Sequence, residues 1–306
     1  MVRRVGCSVC VVFACCCGVC VVFVRCCEAM ACFGGGSLMK LRGNLDAFDI
    51  CALSASYPSL WDYVVDAYDL KSVRRALWIN DHAYAALVRK ALGDENKRLM
   101  LLDVGCGAGS LSVLLARYFK VYALDISSGM LRCLRLRAEE MDVNVETVRA
   151  DSQKIPFRSG VFDCVLCKFA LWPVQNPEGT IKEMVRVARE GGKIVIIELD
   201  RRNRDYKPSL RARVVYKLYK EIIGIIKRIK GKKLKEEEVW KKIMEATKNN
   251  PRVNLEYVRN ILELCNCEIE HIDTSVREKI RGILGKICGQ YDGHDYFLVC
   301  AVKRAK

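Results

Sequence analysis

Three glycines alternate in the stretch LLDVGCGAGS, at Gly105, Gly107 and Gly109, straight after an apolar run that ends at Asp103. Glycine lets a strand-to-helix turn adopt left-handed backbone angles and lets a ligand come close to the main chain. The spacing separates the chemistries that such a turn can serve. A dinucleotide turn has the form G-x-G-x-x-G and sets a pyrophosphate on a helix N-terminus; here its third glycine would fall on Ser110. A phosphate loop needs Gly-Lys-Ser/Thr, which is missing from this stretch. A carboxylate at Asp103 repels a pyrophosphate and attracts an ammonium or a sulfonium. Asp125, Asp151 and Lys168 follow, each at or just past the end of an apolar run.

These residues need elements to gather them. Apolar residues recur at helical spacing over 58–92. Strands are then predicted over 99–104, 121–124, 143–149, 161–167 and 193–199. Helices are predicted over 110–119, 128–141 and 177–189, the last stopped by Gly191 and Gly192. Continuous apolar strands alternating with helices predict an α/β fold with a Rossmann-like, doubly wound parallel sheet covered by helices on both faces. A helix over 255–264 and strands over 267–272 and 296–302, the last after an Asp292-Gly293 turn, complete seven strands. Ligands bind such sheets at the carboxyl ends of the strands, where the four polar residues fall.

The pattern D-V-G-C-G-A-G resembles the cofactor loop of class I S-adenosylmethionine-dependent methyltransferases. The resemblance runs on for about 100 residues, through ALDIS at 123–127, RADSQKIPF at 149–157 and the segment from FDCVLCK to GGKIVIIE. The subgroup it resembles contains the ubiquinone and menaquinone biosynthesis methyltransferases. The resemblance implies S-adenosylmethionine as cofactor. It sets the backbone of Gly105, Cys106, Gly107 and Gly109 against the methionine and ribose parts, with Asp103 near the amino end. It gives Asp125 the ribose hydroxyls, with Ile126 beside it, Met130 the adenine ring, and Asp151 with Ser152 the adenine amino group. Lys168 departs from the family; a contact to cofactor or substrate and a solvated rim charge are its two readings. The sequence names no general base: His82, Tyr291 and His294 are the candidates, and a structural role is the alternative for each. Trp172 and Pro173 are expected to shape the acceptor pocket.

After the fifth strand the family pattern stops. Residues 201–250 hold 17 Lys or Arg against 6 Asp or Glu, a surplus of 17 − 6 = 11. Leu210, Val214, Leu218, Ile222, Ile225 and Ile229 recur there at helical spacing among basic residues, and a second helix is predicted before Pro251. Three readings compete: a helical cap with its apolar row on the protein, an interfacial helix on an anionic membrane surface, and a contact surface for RNA phosphates.

The net charge of +15 fits a polyanionic partner, and 51% hydrophobic residues exclude wholesale disorder. Nine of the 18 cysteines lie within 7–32 and the rest are spread singly, apart from Cys164 and Cys167, which form a C-x-x-C in a strand. No second pair has metal-ligand spacing, so no metal site is expected and the scattered thiols suit a reducing cytosol. Residues 1–38 read as a Cys-rich, poorly structured apolar extension, with Met30 and Met39 as alternative starts, and 39–306 as the methyltransferase domain carrying a helical insertion at 201–253. A membrane anchor is disfavoured, because Arg3 and Arg4 would send the domain away from its cytosolic cofactor. The resulting expectation is a cytoplasmic enzyme with an N-terminal helical lid, membrane association through 201–250 being open, that methylates a small-molecule acceptor, lipid-soluble ones included. An RNA methyltransferase and a non-catalytic cofactor-binding regulator are the alternatives. The sequence sets no oligomeric state.

Overall fold

The structure, a computed structural model, describes residues 11–14, 20–23, 61, 80–93, 99–200, 209–229, 236–282, 286 and 295–305. The chain divides into Met1–Ala55 and Ser56–Lys306; the sequence reading put its boundary after residue 38. Within the first unit, β1 (Val11–Ala14) and β2 (Cys20–Phe23) pair antiparallel.

The second unit is built on a seven-stranded sheet in the order β5-β4-β3-β6-β7-β9-β8. Its strands are β3 (Met100–Val104), β4 (Lys120–Asp125), β5 (Val145–Arg149), β6 (Phe162–Lys168), β7 (Ala188–Asp200), β8 (Cys267–Asp273) and β9 (Asp295–Lys303). Strands β3 to β7 run parallel in their pairings, while β9 lies antiparallel between β7 and β8. The order reverses between β3 and β6, and that reversal opens the ligand crevice of doubly wound sheets.

The strands bury side chains on both faces. Leu102, Val104, Val165 and Cys167 share one core with Ile181 and Met184 of α4 (Pro177–Val187) and Val258 and Leu262 of α7 (Leu255–Leu264). Leu101, Cys164, Leu166 and Val195 share the other with Tyr84 and Val88 of α1 (Asp81–Leu92) and with Leu115 of α2 (Ser112–Leu115). The C-x-x-C therefore splits between the two faces, as period-two alternation requires. α3 (Ser128–Glu140) completes the cover, its N-terminus capped by the Ser127 hydroxyl on the Met130 amide.

Three predicted elements differ. The helix expected over 110–119 is the four-residue α2, because the Ser112 hydroxyl goes to Asp103 and the chain must turn at 116–119 to start β4. The helix expected to stop at Gly191 and Gly192 ends at Val187 instead. Ala188 already pairs with Phe162, Lys303 Nζ donates to the Ala188 carbonyl at 2.7 Å, and the glycine pair forms an irregularity inside β7, with Gly191 at φ 68°. The third difference lies in the insertion, which holds α5 (Leu210–Ile229) and α6 (Glu236–Ala246) as expected. Leu210, Val214 and Leu218, which the helical-cap reading alone set on the protein, are exposed, whereas Ala212 and Tyr219 are buried. Buried positions seven apart mark the opposite side of the helix as the packed one. α8 (Val276–Lys279) is an unpredicted single turn before β9. Of the lid expected over 58–92, Trp61 and α1 are described, and α1 covers the sheet core. Among the described residues, no helix is long and apolar enough to cross a membrane.

Candidate functional site

Asp103 is the last residue but one of β3, and Asp125 and Lys168 end β4 and β6. The turn after β3 is held down by the Gly105 and Cys106 amides, both donating to the Leu124 carbonyl, at 2.8 and 3.0 Å. Gly105, Gly107 and Gly109 all have positive φ, 69°, 55° and 74°. Their surroundings give each a separate reason. A Cβ on Gly105 would stand 2.2 Å from the Ala170 Cβ, and one on Gly109 would stand 2.3 Å from Leu134 Cγ of α3. A Cβ on Gly107 would meet nothing within 4 Å. The first and third glycines thus serve packing, and the second leaves bare backbone facing open space.

Asp125 sits under this turn. One carboxylate oxygen accepts the Gly107 amide at 2.8 Å and the other accepts the Ser127 amide at 2.9 Å. A carboxylate oxygen can accept more than one donor, and here both oxygens hold the loop. Asp103 is deeper, 2% exposed, and accepts the Ser112 hydroxyl at 2.5 Å. Burial pushes its carboxyl up to about 6, against the pull of the Ser112 hydrogen bond and the Lys168 charge; the Asp125 charge adds to the rise. A cation placed here would restore the carboxylate.

The other predicted residues fall differently. Met130 is buried within α3, whereas Ile126, beside Asp125, is partly exposed. Asp151 is exposed and its carboxylate accepts the Gln153 amide at 2.8 Å, closing its own turn. Ser152 lies 3.2 Å from the Thr180 hydroxyl. Lys168 is partly buried, with Nζ 5.2 Å from the rings of both Tyr84 and Phe169. It is therefore an aromatic-packed cation whose charge is felt by Asp103. His82 is exposed on α1, away from the side that carries Tyr84 and Val88 into the core. Tyr291 and His294 lie outside the described residues. Cys106 is a partly exposed loop residue whose thiol is pushed well above the usual range by desolvation first, then by Asp125 and Asp103.

Sequence reasoning missed Glu198. It is buried near the end of β7, accepts the Leu171 and Trp172 amides at 3.1 and 3.4 Å on one oxygen, and accepts the Leu199 amide at 2.9 Å on the other. It thereby pins the loop that follows β6. The signal was a lone acid closing the apolar run KIVIIE. Phe169 also went unread: it leaves β6 with φ 57°, a left-handed conformation rare for a bulky residue and met at functional rims.

The insertion meets this rim. Trp172 packs edge-on against Trp61 at 6.2 Å between ring centroids, and Trp61 against Trp240 of α6 at 6.3 Å. Asn250, four residues past α6, donates its side-chain amide to the Pro173 carbonyl at 2.9 Å.

The family model described as a methyltransferase domain matches residues 102–196, from β3 into β7. That stretch is similar to methyltransferase domains. It holds the glycine turn, Asp103, Asp125, Lys168 and the pinned loop, but neither the insertion nor the last two strands. Over 107 residues the chain is 35% identical to the ubiquinone/menaquinone biosynthesis C-methyltransferase UbiE of Pseudomonas putida strain F1, and 36% identical to that of Pseudomonas syringae pv. syringae. Each match takes in 33% of this chain and 42% of the relative, so the chain spans about two fifths of the length of these relatives. In three dimensions the chain is similar to the cyclase SpnF, with a TM-score of 0.56 and 16% identity over 82% of this chain and 96% of that one. It is also similar to a SAM-dependent methyltransferase from Aquifex aeolicus, with a TM-score of 0.50 and 20% identity over 79% and 98%. These structural likenesses establish the Rossmann-like fold beyond the matched stretch.

Proposed function

We propose that the chain transfers a methyl group from S-adenosylmethionine to a small, lipid-soluble acceptor. The observation that carries the reading is the glycine turn itself: the unobstructed Gly107 backbone is clamped on Asp125, beside the buried Asp103. The residues fit the cofactor. Asp103 would face its amino group, Asp125 its ribose hydroxyls and Ile126 its base, while Asp151 and Ser152 are the proposed contacts of the adenine amino group.

When bound, the cofactor supplies a methyl group already activated on a sulfonium. The chain's share is to orient two reactants and exclude water. Glu198 fixes the loop bearing Trp172, and Trp61 and Trp240 wall that loop from the insertion side. Such an aromatic wall suits an apolar acceptor, in line with the C-methyltransferases that the domain resembles. Burial pushes Cys164 up to about 12 and Cys267 and Cys300 up to about 11, which leaves these thiols poor nucleophiles.

Labelled cofactor offered with quinone precursors, other lipids and bulk RNA tests the reaction. Label in a lipid-soluble product is expected. Label in RNA alone would replace this reading with an RNA methyltransferase. A non-catalytic or differently reactive protein is the second reading, favoured by the fold shared with a cyclase; tight cofactor binding without any transfer would establish it.

A further inference from the structure

Helix α5 turns the first three residues of its apolar row toward water. Leu210 is 73% exposed, Val214 50% and Leu218 58%. These three form a single row at four-residue steps. Ala212 and Tyr219 are buried on the other side. Arg211, Arg213 and Lys217 are exposed and flank the row, and Glu221 is an exposed acid near its far end.

The combination selects the partner. RNA phosphates call for cations and gain little from aliphatic side chains. A second copy would bring two strongly basic segments together, since 201–250 carries 17 basic against 6 acidic residues. An anionic bilayer takes both features at once, aliphatic side chains at the acyl boundary and cations among the headgroups. We infer that α5 lies in the plane of an anionic phospholipid membrane, with Leu210, Val214 and Leu218 inserted and Arg211, Arg213 and Lys217 on lipid phosphates. Docking of this kind is reversible, because one short aliphatic row anchors far less than a spanning helix. It stands independently of the reaction proposed above.

The test uses the full chain and sedimentation with vesicles of phosphatidylcholine, alone or mixed with phosphatidylserine. Wild type is expected to bind the mixed vesicles and to bind the neutral ones weakly. Leu210→Ser/Leu218→Ser, both exposed, is expected to lower affinity for mixed vesicles about tenfold or more with no change in melting temperature. Arg211→Gln/Arg213→Gln is expected to weaken binding and its salt dependence together. The apolar N-terminal segment is common to all three chains, so their difference reports α5 alone. Absence of binding to mixed vesicles overturns the inference. So does unchanged binding by the leucine variant, which would mark a simple polycation. A dimer that the leucine variant dissolves, with vesicle binding absent, would assign the row to a second copy and overturn it as well.

Discussion

The Gly107 amide donates to the Asp125 carboxylate at 2.8 Å, so the residue assigned to the ribose is also the clamp of the glycine turn. Asp125→Ala is expected to do two things at once. Cofactor affinity falls by roughly 10- to 100-fold through lost hydrogen bonds to a charged group. Stability falls by about 1 to 3 kcal/mol, because the Gly107 and Ser127 amides lose their acceptor. Calorimetric titration and thermal melting measure the two; unchanged cofactor affinity would remove Asp125 from the site.

The three glycines should respond unequally to alanine. Gly105→Ala and Gly109→Ala drive a methyl group into Ala170 and Leu134, on top of an unfavourable φ, and are expected to give poorly folded protein. Gly107→Ala pays only for its φ of 55°, about 1 kcal/mol, and should fold yet bind cofactor weakly, since its methyl group occupies the open side. Comparing melting temperature with cofactor affinity across the three separates packing from binding. Equal losses of stability at all three would contradict the assignment.

Asp103 gives the chain a specific pH dependence. Its carboxyl is raised from 3.8 to about 6 on folding, mainly by burial. A raised acid stabilises the fold fully below about pH 4, and that contribution is lost as pH climbs through about 6. Asp103→Asn is therefore expected to be more stable than wild type at neutral pH, by up to about 3 kcal/mol, with the gap closing in acid. The same group faces the cofactor's amino end in the proposed site. Cofactor affinity of the wild type should thus be flat above neutrality and fall as pH drops below about 6. Melting curves and titrations across pH check both slopes.

The contact of Asn250 with Pro173, together with Trp61 between Trp172 and Trp240, couples the insertion to the loop after β6. Trp61→Ala is expected to raise the KM for an apolar acceptor by several-fold, in proportion to lost aromatic area, while cofactor affinity stays near wild type. Hydrogen exchange over 236–246 should quicken in the same variant. A change in cofactor affinity as large as that in acceptor KM would place Trp61 in the wrong half of the site.

Glu198 offers a sharper comparison. Glu198→Gln keeps an acceptor for the Leu171 and Trp172 amides and should retain most activity. Glu198→Leu strands those amides beneath the rim at about 1 to 3 kcal/mol and should unseat Trp172. Activity and melting temperature, measured side by side, distinguish a positioning role from direct chemistry, in which the glutamine variant would be as damaged as the leucine variant.

The sequence by itself determined the sheet, its seven strands and the glycine turn. Apolar runs of strand length and helical spacing are local signals, and local physics reads them. The antiparallel placement of β9 and the extension of β7 back through Gly191 and Gly192 depend on pairings between distant residues, such as Ala188 with Phe162. Tertiary structure alone decided which side of α5 is buried, because a row of leucines and valines records a helical period and not a partner. It also decided that Glu198 holds a loop 26 residues away in sequence and that Lys168 settles near the ring of Tyr84 on α1. In each case the polar or apolar group finds its lowest free energy in a neighbour brought near by the fold, and sequence spacing carries no measure of that distance.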